Sequence, residues 1–251
     1  MAKAALEAGK HVLCEKPFTA NADEARAVAE VAAARPSLVV MEAFHYRYHP
    51  LFRRVVELLG NGAVGSVRDI DTRLCFPLIQ AKDIRWQLDL AGGSLMDAGC
   101  YTVHMLRHLA GSEPTVTGAE VKLRSPGVDR FMRGHYRFED GVIGTTTAAM
   151  LSGRVLGLGF RVRGDRGELR VFNPMMPSLV HRLTLVSGGR RSVETCTRRP
   201  TYEFQMEAFA DAVSGRGAPI TGVQDAIANM TVIDAVYRAA GLEPRRPTRA
   251  G

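Results

Sequence analysis

The fold of this chain is decided by residues 11–41, HVLCEKPFTANADEARAVAEVAAARPSLVVM. The apolar run that opens this stretch predicts a strand ending at Pro17, because proline cannot donate to a central ladder. Asn21 and Glu24 are spaced as a helix N-cap and its capping-box acid, and alanine and valine then recur at helical spacing. The apolar run that closes the stretch is typical of a strand buried on both faces of a parallel sheet. The stretch therefore predicts a right-handed βαβ unit.

The pattern changes beyond this unit. An amphipathic helix is predicted after Pro50, and residues 70–76 alternate between apolar and polar side chains, as in a half-buried strand. The fold class expected is α/β plus α+β: a partial Rossmann-like parallel piece, then a large, open, mostly antiparallel sheet with helices on one face. Further helices are predicted over 95–110, 203–213 and 223–240, and further strands over 116–123, 134–138, 142–150, 158–162, 169–172 and 179–186.

Composition excludes several classes of protein. The 251 residues are 46% hydrophobic and 24% charged, which is ordinary soluble globular usage. No segment approaches the roughly 18 apolar residues of a membrane helix, and the N-terminus lacks a secretory core, so a cytoplasmic protein is expected. The four cysteines are far apart without a C-x-x-C pair, which argues against a zinc ribbon or a disulfide framework.

The net charge of +7 raises the question of nucleic acid. The arginines are scattered in short pairs, however, and no nucleic-acid-binding signature accompanies them. Excess arginine suits small anionic ligands such as phosphates equally well. We expect no nucleic-acid partner and no membrane partner.

Lys16 is the first candidate for chemistry. It lies at the carboxyl end of a predicted parallel strand, where open α/β sheets bind ligands. In a partly dry cleft its ammonium form would be disfavoured, so that it could shuttle a proton or donate a hydrogen bond. The alternative is a solvated residue at a strand end.

Residues 92–104, GGSLMDAGCYTVH, form the second candidate. The glycines would let backbone approach a ligand closely. With Ser94 as N-cap, Asp97 lies in the first helical turn and Tyr101 one turn later on the same face. The two side chains could point jointly at a polyol or carbonyl. A plain capping box and a packing tyrosine explain the same pattern.

Other motifs remain open or are rejected. Residues 44–50, FHYRYHP, suit a planar anionic ligand or an interdomain hinge, and Arg85-Trp86 is either a cleft wall or an anchor between layers. The glycines of 157–162, GLGFRV, lie in a strand pattern and are not a phosphate loop. The histidine pairs 45/49 and 104/108 lack an H-E-x-x-H glutamate or an acidic cluster nearby, so no metal site is predicted.

Together these segments resemble the glucose–fructose oxidoreductase/inositol dehydrogenase family (Gfo/Idh/MocA) of NAD(P)-dependent enzymes. Residues 8–17 resemble the family's E-K-P strand and residues 92–101 its catalytic helix, while 206–209 and 229–235 resemble its closing helices. Tyr101 after Cys100 is similar to the dihydrodiol and sugar dehydrogenase branch. The resemblance implies hydride transfer between a nicotinamide cofactor and the hydroxyl or carbonyl of a sugar, polyol or dihydrodiol. The cofactor would be NAD or NADP, with NADP slightly favoured.

The resemblance also implies roles for single residues. Lys16, Tyr101 and Asp97 are assigned as catalytic. Glu15, Lys16, Pro17 and Arg47 are assigned to the cofactor, and Arg85, Trp86, Asp97 and His104 to the substrate.

Residues 1–50 are expected to be the C-terminal remnant of a dinucleotide-binding domain, because the G-x-G-x-x-G turn is missing and truncation is the favoured explanation. Residues 51–251 would form the substrate-binding and oligomerisation domain, with helices 203–240 packing back on the first. A homodimer or higher oligomer through the open sheet is expected. Two alternatives remain: a catalytically silent sugar-binding or dimerisation module, and NAD-assisted glycoside cleavage on the same scaffold.

Overall fold

The computed structural model describes residues 1–151 and 156–246, which fold into a small parallel sheet and a large sheet with helices around them. The helices are α1 (Ala2–Glu7), α2 (Ala22–Ala33), α3 (Pro50–Gly60), α4 (Cys100–Ala110), α5 (Thr201–Val213) and α6 (Val223–Ala239). The strands are β1 (Val12–Cys14), β2 (Val40–Glu42), β3 (Val67–Cys75), β4 (Thr115–Ser125), β5 (Val128–Arg137), β6 (Ile143–Ala149), β7 (Gly157–Gly164), β8 (Gly167–Phe172), β9 (Arg182–Ser187) and β10 (Arg190–Glu194).

The predicted βαβ unit is confirmed. Strands β1 and β2 pair in parallel, and α2 connects them. The Asn21 Oδ1 accepts from the Glu24 amide at 2.9 Å, and a Glu24 carboxylate oxygen accepts from the Ala20 amide at 2.9 Å. The first bond satisfies an amide that the first helical turn leaves without a partner, and the second ties Glu24 to the residue just before the N-cap, so the two bonds together fix where α2 begins.

The large sheet has eight strands in the order β10-β9-β8-β7-β3-β6-β5-β4. Among the strand pairs of the described residues in this sheet, only β3–β6 is parallel. Helix α4 packs on β3 and β6, and α6 packs on β4, so the expected mostly antiparallel sheet with helices on one face is confirmed. Strand β10 was not predicted, although Gly188 and Gly189, both with positive φ, are the residues that a tight hairpin turn favours.

The closing helix α6 contacts both parts of the chain. It packs against α2 as well as β4, and the Asp234 carboxylate accepts from the Ala22 amide at 3.0 Å. Helix α6 therefore packs on both the small α/β unit and the large sheet. Among the described helices, none has both the length and the apolar character that crossing a membrane requires.

Glu42 ends β2 as a buried carboxyl group, 1% exposed. Its Oε1 accepts from the Phe18 amide at 2.8 Å, and its Oε2 has no hydrogen-bond partner among the residues that the structure describes. Burial, reinforced by the Asp225 carboxylate, raises the pKa of Glu42 to about 8, although Arg107 and Lys16 face it from α4 and from the end of β1 and oppose the shift. Cys14 and Cys100 also face Glu42, and both are neutral thiols at these pH values because burial raises the pKa of each, to about 11 and about 12.

We expect the free energy of unfolding to fall between about pH 4.5 and about pH 8, the window set by the ordinary and the raised pKa of Glu42. In this window the folded chain binds a proton that the unfolded chain releases, so rising pH favours unfolding. Glu42→Gln should lose this slope and be more stable than wild type above pH 8, by on the order of a few kcal/mol.

Urea denaturation at a series of pH values measures the effect as the difference between the variant and wild type. Glu30→Gln, at an exposed position of α2, is the matched control and should parallel wild type. A Glu42→Gln curve parallel to wild type across the window would show that the carboxyl group is ionised in the folded chain.

Candidate functional site

A cleft of about 520 Å³ opens at the carboxyl end of β1. This is the edge at which open α/β sheets bind ligands. Its walls come from the segment after β1, the start of α2 and the segment before α4. The lining residues are Glu15, Lys16, Pro17, Thr19, Ala20, Glu24, Ile84, Arg85, Leu90, Ala91, Gly92, Gly93, Met96 and Asp97.

Asp97 binds two cationic side chains at this cleft. The Lys16 ammonium donates to the Asp97 carbonyl at 2.8 Å and to its Oδ1 at 2.9 Å. The Arg85 guanidinium lies 3.0 Å from the other carboxylate oxygen. The Asp97 carboxylate thus brings together two cationic side chains from separate parts of the chain, one of them 81 residues away.

Lys16 is held in its charged form. Burial alone would lower the pKa of Lys16, but the sulfur of Cys100 and the Asp97 carboxylate outweigh burial, and the pKa is raised above its ordinary value. The expectation that the dry cleft disfavours the ammonium is therefore wrong, because it left out the carboxylate that the fold places there. A solvated strand-end lysine is also excluded, since the Lys16 side chain is only 15% exposed.

Tyr101 lies next to Lys16. The Lys16 ammonium sits over the tyrosine ring, 4.7 Å from its centroid. Phe44 and His45 make edge contacts with the same ring at centroid distances of 5.3 and 5.9 Å, which hold it in place. Burial, together with the neighbouring Cys100 and Tyr202, raises the pKa of Tyr101, so the phenol keeps its proton at neutral pH.

The helical segment that begins near Ser94 starts differently from its sequence pattern. Residues Leu95–Gly99 form a π-helical turn that leads into α4. Ser94 already has helical φ and ψ, and its hydroxyl donates to the Asp129 carboxylate at 2.7 Å. The capping-box alternative for Ser94 and Asp97 is therefore wrong, since the Asp97 carboxylate is turned to Lys16 and Arg85. Such π-turns recur at functional sites.

The two glycines before this turn are required by the protein's own packing. A side chain on Gly92 would meet the carbonyl oxygens of Gln87 and Arg85 at 2.6 and 2.7 Å. Gly93 has φ +132°, and a side chain there would meet the Asp129 carboxylate and lie 2.6 Å from the Arg245 guanidinium. Both glycines line the cleft, but internal crowding explains them without a ligand.

His104 lies outside the cleft, which corrects its assignment to the substrate. The side chain is fully buried, and its Nδ1 and Nε2 are hydrogen-bonded to the Tyr46 hydroxyl and to Asp225, the latter at 2.8 Å. Burial lowers the pKa of His104 to about 3, so the ring is neutral. With both nitrogens engaged, His104 supports Tyr46 and α6 and has no atom free for a ligand.

The structure also brings an acid to the histidine pair, which the sequence did not reveal. His104, His108 and Asp225 place ligand-type atoms within 4.8 Å of one another. The Arg107 guanidinium donates to the Asp225 carboxylate at 2.9 Å, and His108 approaches the same oxygen at 3.1 Å. Because a cation and two imidazoles already occupy this carboxylate, the cluster is a hydrogen-bonded junction between α4 and α6.

The remaining predicted residues divide between cleft and core. Glu15, Pro17 and Arg85 line the cleft. Arg47, which was assigned to the cofactor, does not line the cleft; its guanidinium lies over the Phe52 ring at 4.9 Å. The neighbouring Tyr46 packs against the Tyr101 ring. Trp86 is an anchor, buried against Val128 and Met150 with Arg124 over its ring.

Asp129 is the site residue that sequence reasoning missed. It lies in β5, 35 residues from Ser94, and its carboxylate is completely buried. An aspartate in an otherwise alternating strand carries no local signal for this contact, because the partner comes from another element.

Two family models match the chain. The model of the NAD-binding Rossmann fold of an oxidoreductase family matches residues 1–44. The model of the GFO/IDH/MocA C-terminal domain matches residues 52–170.

Similar proteins of known activity span most of the chain. D-xylose 1-dehydrogenase (NADP(+)) 2 of Haloferax volcanii is 36% identical over 95% of this chain and 73% of its own length. A dTDP-3,4-didehydro-2,6-dideoxy-alpha-D-glucose 3-reductase of Actinomadura kijaniata is 28% identical over 94% of this chain and 71% of its own length.

Solved structures share the fold. The aldose-aldose oxidoreductase from Caulobacter crescentus, complexed with glycerol, matches with TM-score 0.87 and 26% identity over 96% of this chain and 72% of its own. The 3-ketoreductase KijD10 from Actinomadura kijaniata, in complex with NADP and TDP-benzene, matches with TM-score 0.85 and 27% identity over 95% of this chain and 73% of its own.

Proposed function

Because this chain belongs to the GFO/IDH/MocA family of NAD-binding oxidoreductases, we propose that it transfers hydride between NADP(H) and the hydroxyl or carbonyl carbon of a sugar or polyol. The observation that carries the proposal is the Lys16–Asp97 ion pair beside Tyr101 at the carboxyl end of β1. Relatives named for D-xylose and for a dideoxy-glucose derivative support a carbohydrate substrate.

The cleft fits the nicotinamide half of the cofactor. Its volume of about 520 Å³ lies within the range of roughly 300–1,000 Å³ typical of small-molecule sites. Glu15, Lys16 and Pro17 would lie along the nicotinamide, and the bound cofactor would supply or accept the hydride. NADP is favoured over NAD because similar proteins are named for it or crystallised with it.

Lys16 and Tyr101 would manage the proton that accompanies the hydride. Both keep their protons at neutral pH, since the pKa of each is raised above its ordinary value. They are therefore prepared to donate to a carbonyl oxygen as it becomes a hydroxyl. In the reverse direction one of the two would have to start without its proton, so that it can accept the proton of the substrate hydroxyl. Asp97 holds the ammonium in place at the wall of the cleft, and Arg85 holds the Asp97 carboxylate from its other oxygen.

We expect the open face of the large sheet to form a homo-oligomer interface. Opposite α4, a shallow groove of about 710 Å³ crosses five strands and is lined by the arginines 73, 161, 170, 182 and 191 with Asp71 and Glu168. Phe172 and Val186 are 44% and 39% exposed beside them. Light scattering during gel filtration would report the expected dimer or higher oligomer, and a monomer at all concentrations would contradict it.

The test of the activity is cofactor turnover. NADPH with keto-sugars, and NADP(+) with aldoses such as D-xylose, would be followed by the absorbance of the dihydronicotinamide. A sustained change that depends on the sugar is expected. Glycoside cleavage without net change in free cofactor would favour the hydrolytic alternative. Sugar binding by the folded chain without turnover would favour a silent binding module.

A further inference from the structure

We propose that Arg245, which follows α6, is a positioning residue that holds the π-helical turn Leu95–Gly99, called the catalytic turn below, in place through Asp129. The chain leaves α6 at Ala239 and returns toward the core, where the Arg245 side chain is only 3% exposed. The neighbouring Arg246 is exposed. A buried arginine near the end of a chain needs a partner, because burying an unpaired charge costs several kcal/mol.

That partner is the Asp129 carboxylate, which receives donors at both oxygens. The Arg245 Nη2 donates to Oδ1 at 2.8 Å, and the Tyr237 hydroxyl donates to the same oxygen at 3.1 Å. The Ser94 hydroxyl and the Leu95 amide both donate to Oδ2 at 2.7 Å. The Asp129 carboxylate, from β5, therefore caps the start of the catalytic turn. The Arg245 guanidinium neutralises this carboxylate and fixes its orientation.

Arg245 also joins the small α/β unit to this cap. Its carbonyl accepts from the Asn21 side-chain amide at 2.8 Å, and Asn21 is the N-cap of α2. Its guanidinium lies over the Tyr237 ring of α6 at 4.2 Å. One arginine thus contacts the first unit, the closing helix and the large sheet where these elements meet around the cleft.

The capped turn carries the Lys16 partner. The Asp97 amide donates to the Gly93 carbonyl at 3.1 Å, so the position of Gly93 and of the Leu95 amide sets where Asp97 lies. Gly93 packs too closely against Asp129 and Arg245 to admit a side chain. A π-helical turn is wider than an α-helical turn and is rare as a regular helix. We therefore expect its geometry to depend on the hydrogen bonds that Asp129 accepts from Ser94 and Leu95. Without Arg245 we expect this turn to shift and the Lys16–Asp97 contact to loosen.

The inference rests on the proposed function only for its effect on activity, and it is tested on the full chain by Arg245→Ala with Arg246→Ala as the matched control. Arg245→Ala should lower kcat about 10²-fold with little change in KM, since small displacements of a catalytic group have effects of this size. Arg246→Ala should leave both constants unchanged.

Two readouts do not depend on turnover. Competitive labelling with acetic anhydride and mass spectrometry measures the reactivity of Lys16, which should rise in Arg245→Ala as its pKa falls. Hydrogen exchange over residues 94–100 should quicken in the same variant, and neither quantity should change in Arg246→Ala. Both results are expected even if no sugar is turned over, so failure of the proposed function is distinguishable.

A folded Arg245→Ala with wild-type Lys16 labelling and wild-type exchange over 94–100 overturns the proposal. If this variant does not unfold cooperatively, Arg245→Lys carries the test, because it keeps the charge but lacks the planar fork. Intermediate labelling of Lys16 in Arg245→Lys supports the proposal, and labelling equal to that of Arg246→Ala overturns it.

Discussion

Lys16→Met is expected to lower kcat by about 10²–10⁴-fold, the contribution typical of a positioned proton donor. The ammonium lies 2.8 Å from the Asp97 carbonyl oxygen, 2.9 Å from the Asp97 Oδ1 and over the Tyr101 ring. The variant removes both this positive charge and its fixed position. Methionine keeps most of the side-chain volume. Steady-state kinetics with NADPH and a sugar substrate measure the loss.

The control for this variant is Lys10→Met, which removes an exposed lysine beyond α1 and should retain full activity. Thermal unfolding of both variants should stay close to wild type, because the Asp97 carboxylate keeps its ion pair with Arg85 at 3.0 Å when Lys16 is replaced. Wild-type kcat in Lys16→Met would remove Lys16 from the chemistry and leave it a structural partner of Asp97.

Tyr101→Phe is expected to lower kcat by a similar factor of about 10²–10⁴, because the phenol O–H is the group next to Lys16 that can move a proton. The phenylalanine ring keeps the edge contacts with Phe44 and His45, so packing is preserved. KM for the sugar should change much less than kcat.

Tyr136→Phe is the matched control. It removes a buried hydroxyl that is hydrogen-bonded to Thr146 at 2.9 Å in the large sheet. We expect a stability loss of about 1 kcal/mol and unchanged kcat. An equal loss of kcat in both variants would point to general loosening of the fold rather than to a role of the Tyr101 hydroxyl.

The family and the fold class expected from the sequence are confirmed by the matches and the sheet topology. The reason is that both depend on local patterns. The capping box at Asn21 and Glu24 and the period-two alternation of β3 depend on neighbours in the chain, and the structure reproduces them. Strand β10 lacks an apolar alternation and was missed, because its register depends on β9.

Single functional residues were harder to interpret, because a side chain's partner is set by elements far apart in the chain. His104 lies on the same face of its helix as Tyr101 in the sequence pattern. In the structure, however, its two ring nitrogens are hydrogen-bonded inside the core, one to Tyr46 and the other to Asp225. Arg47 precedes a predicted helix in a cationic segment, yet its guanidinium covers Phe52.

By itself the sequence determined the βαβ unit, the mostly antiparallel sheet and the candidate pair Lys16 and Tyr101, since periodicity, capping and strand ends are properties of short segments. Only the tertiary structure decided how that pair is charged and held. The Asp97 carboxylate reaches Lys16 across 81 residues, and Asp129 meets Arg245 across 116. Electrostatic contacts of this kind depend on distance in space, which sheet order and helix packing set and no local pattern records.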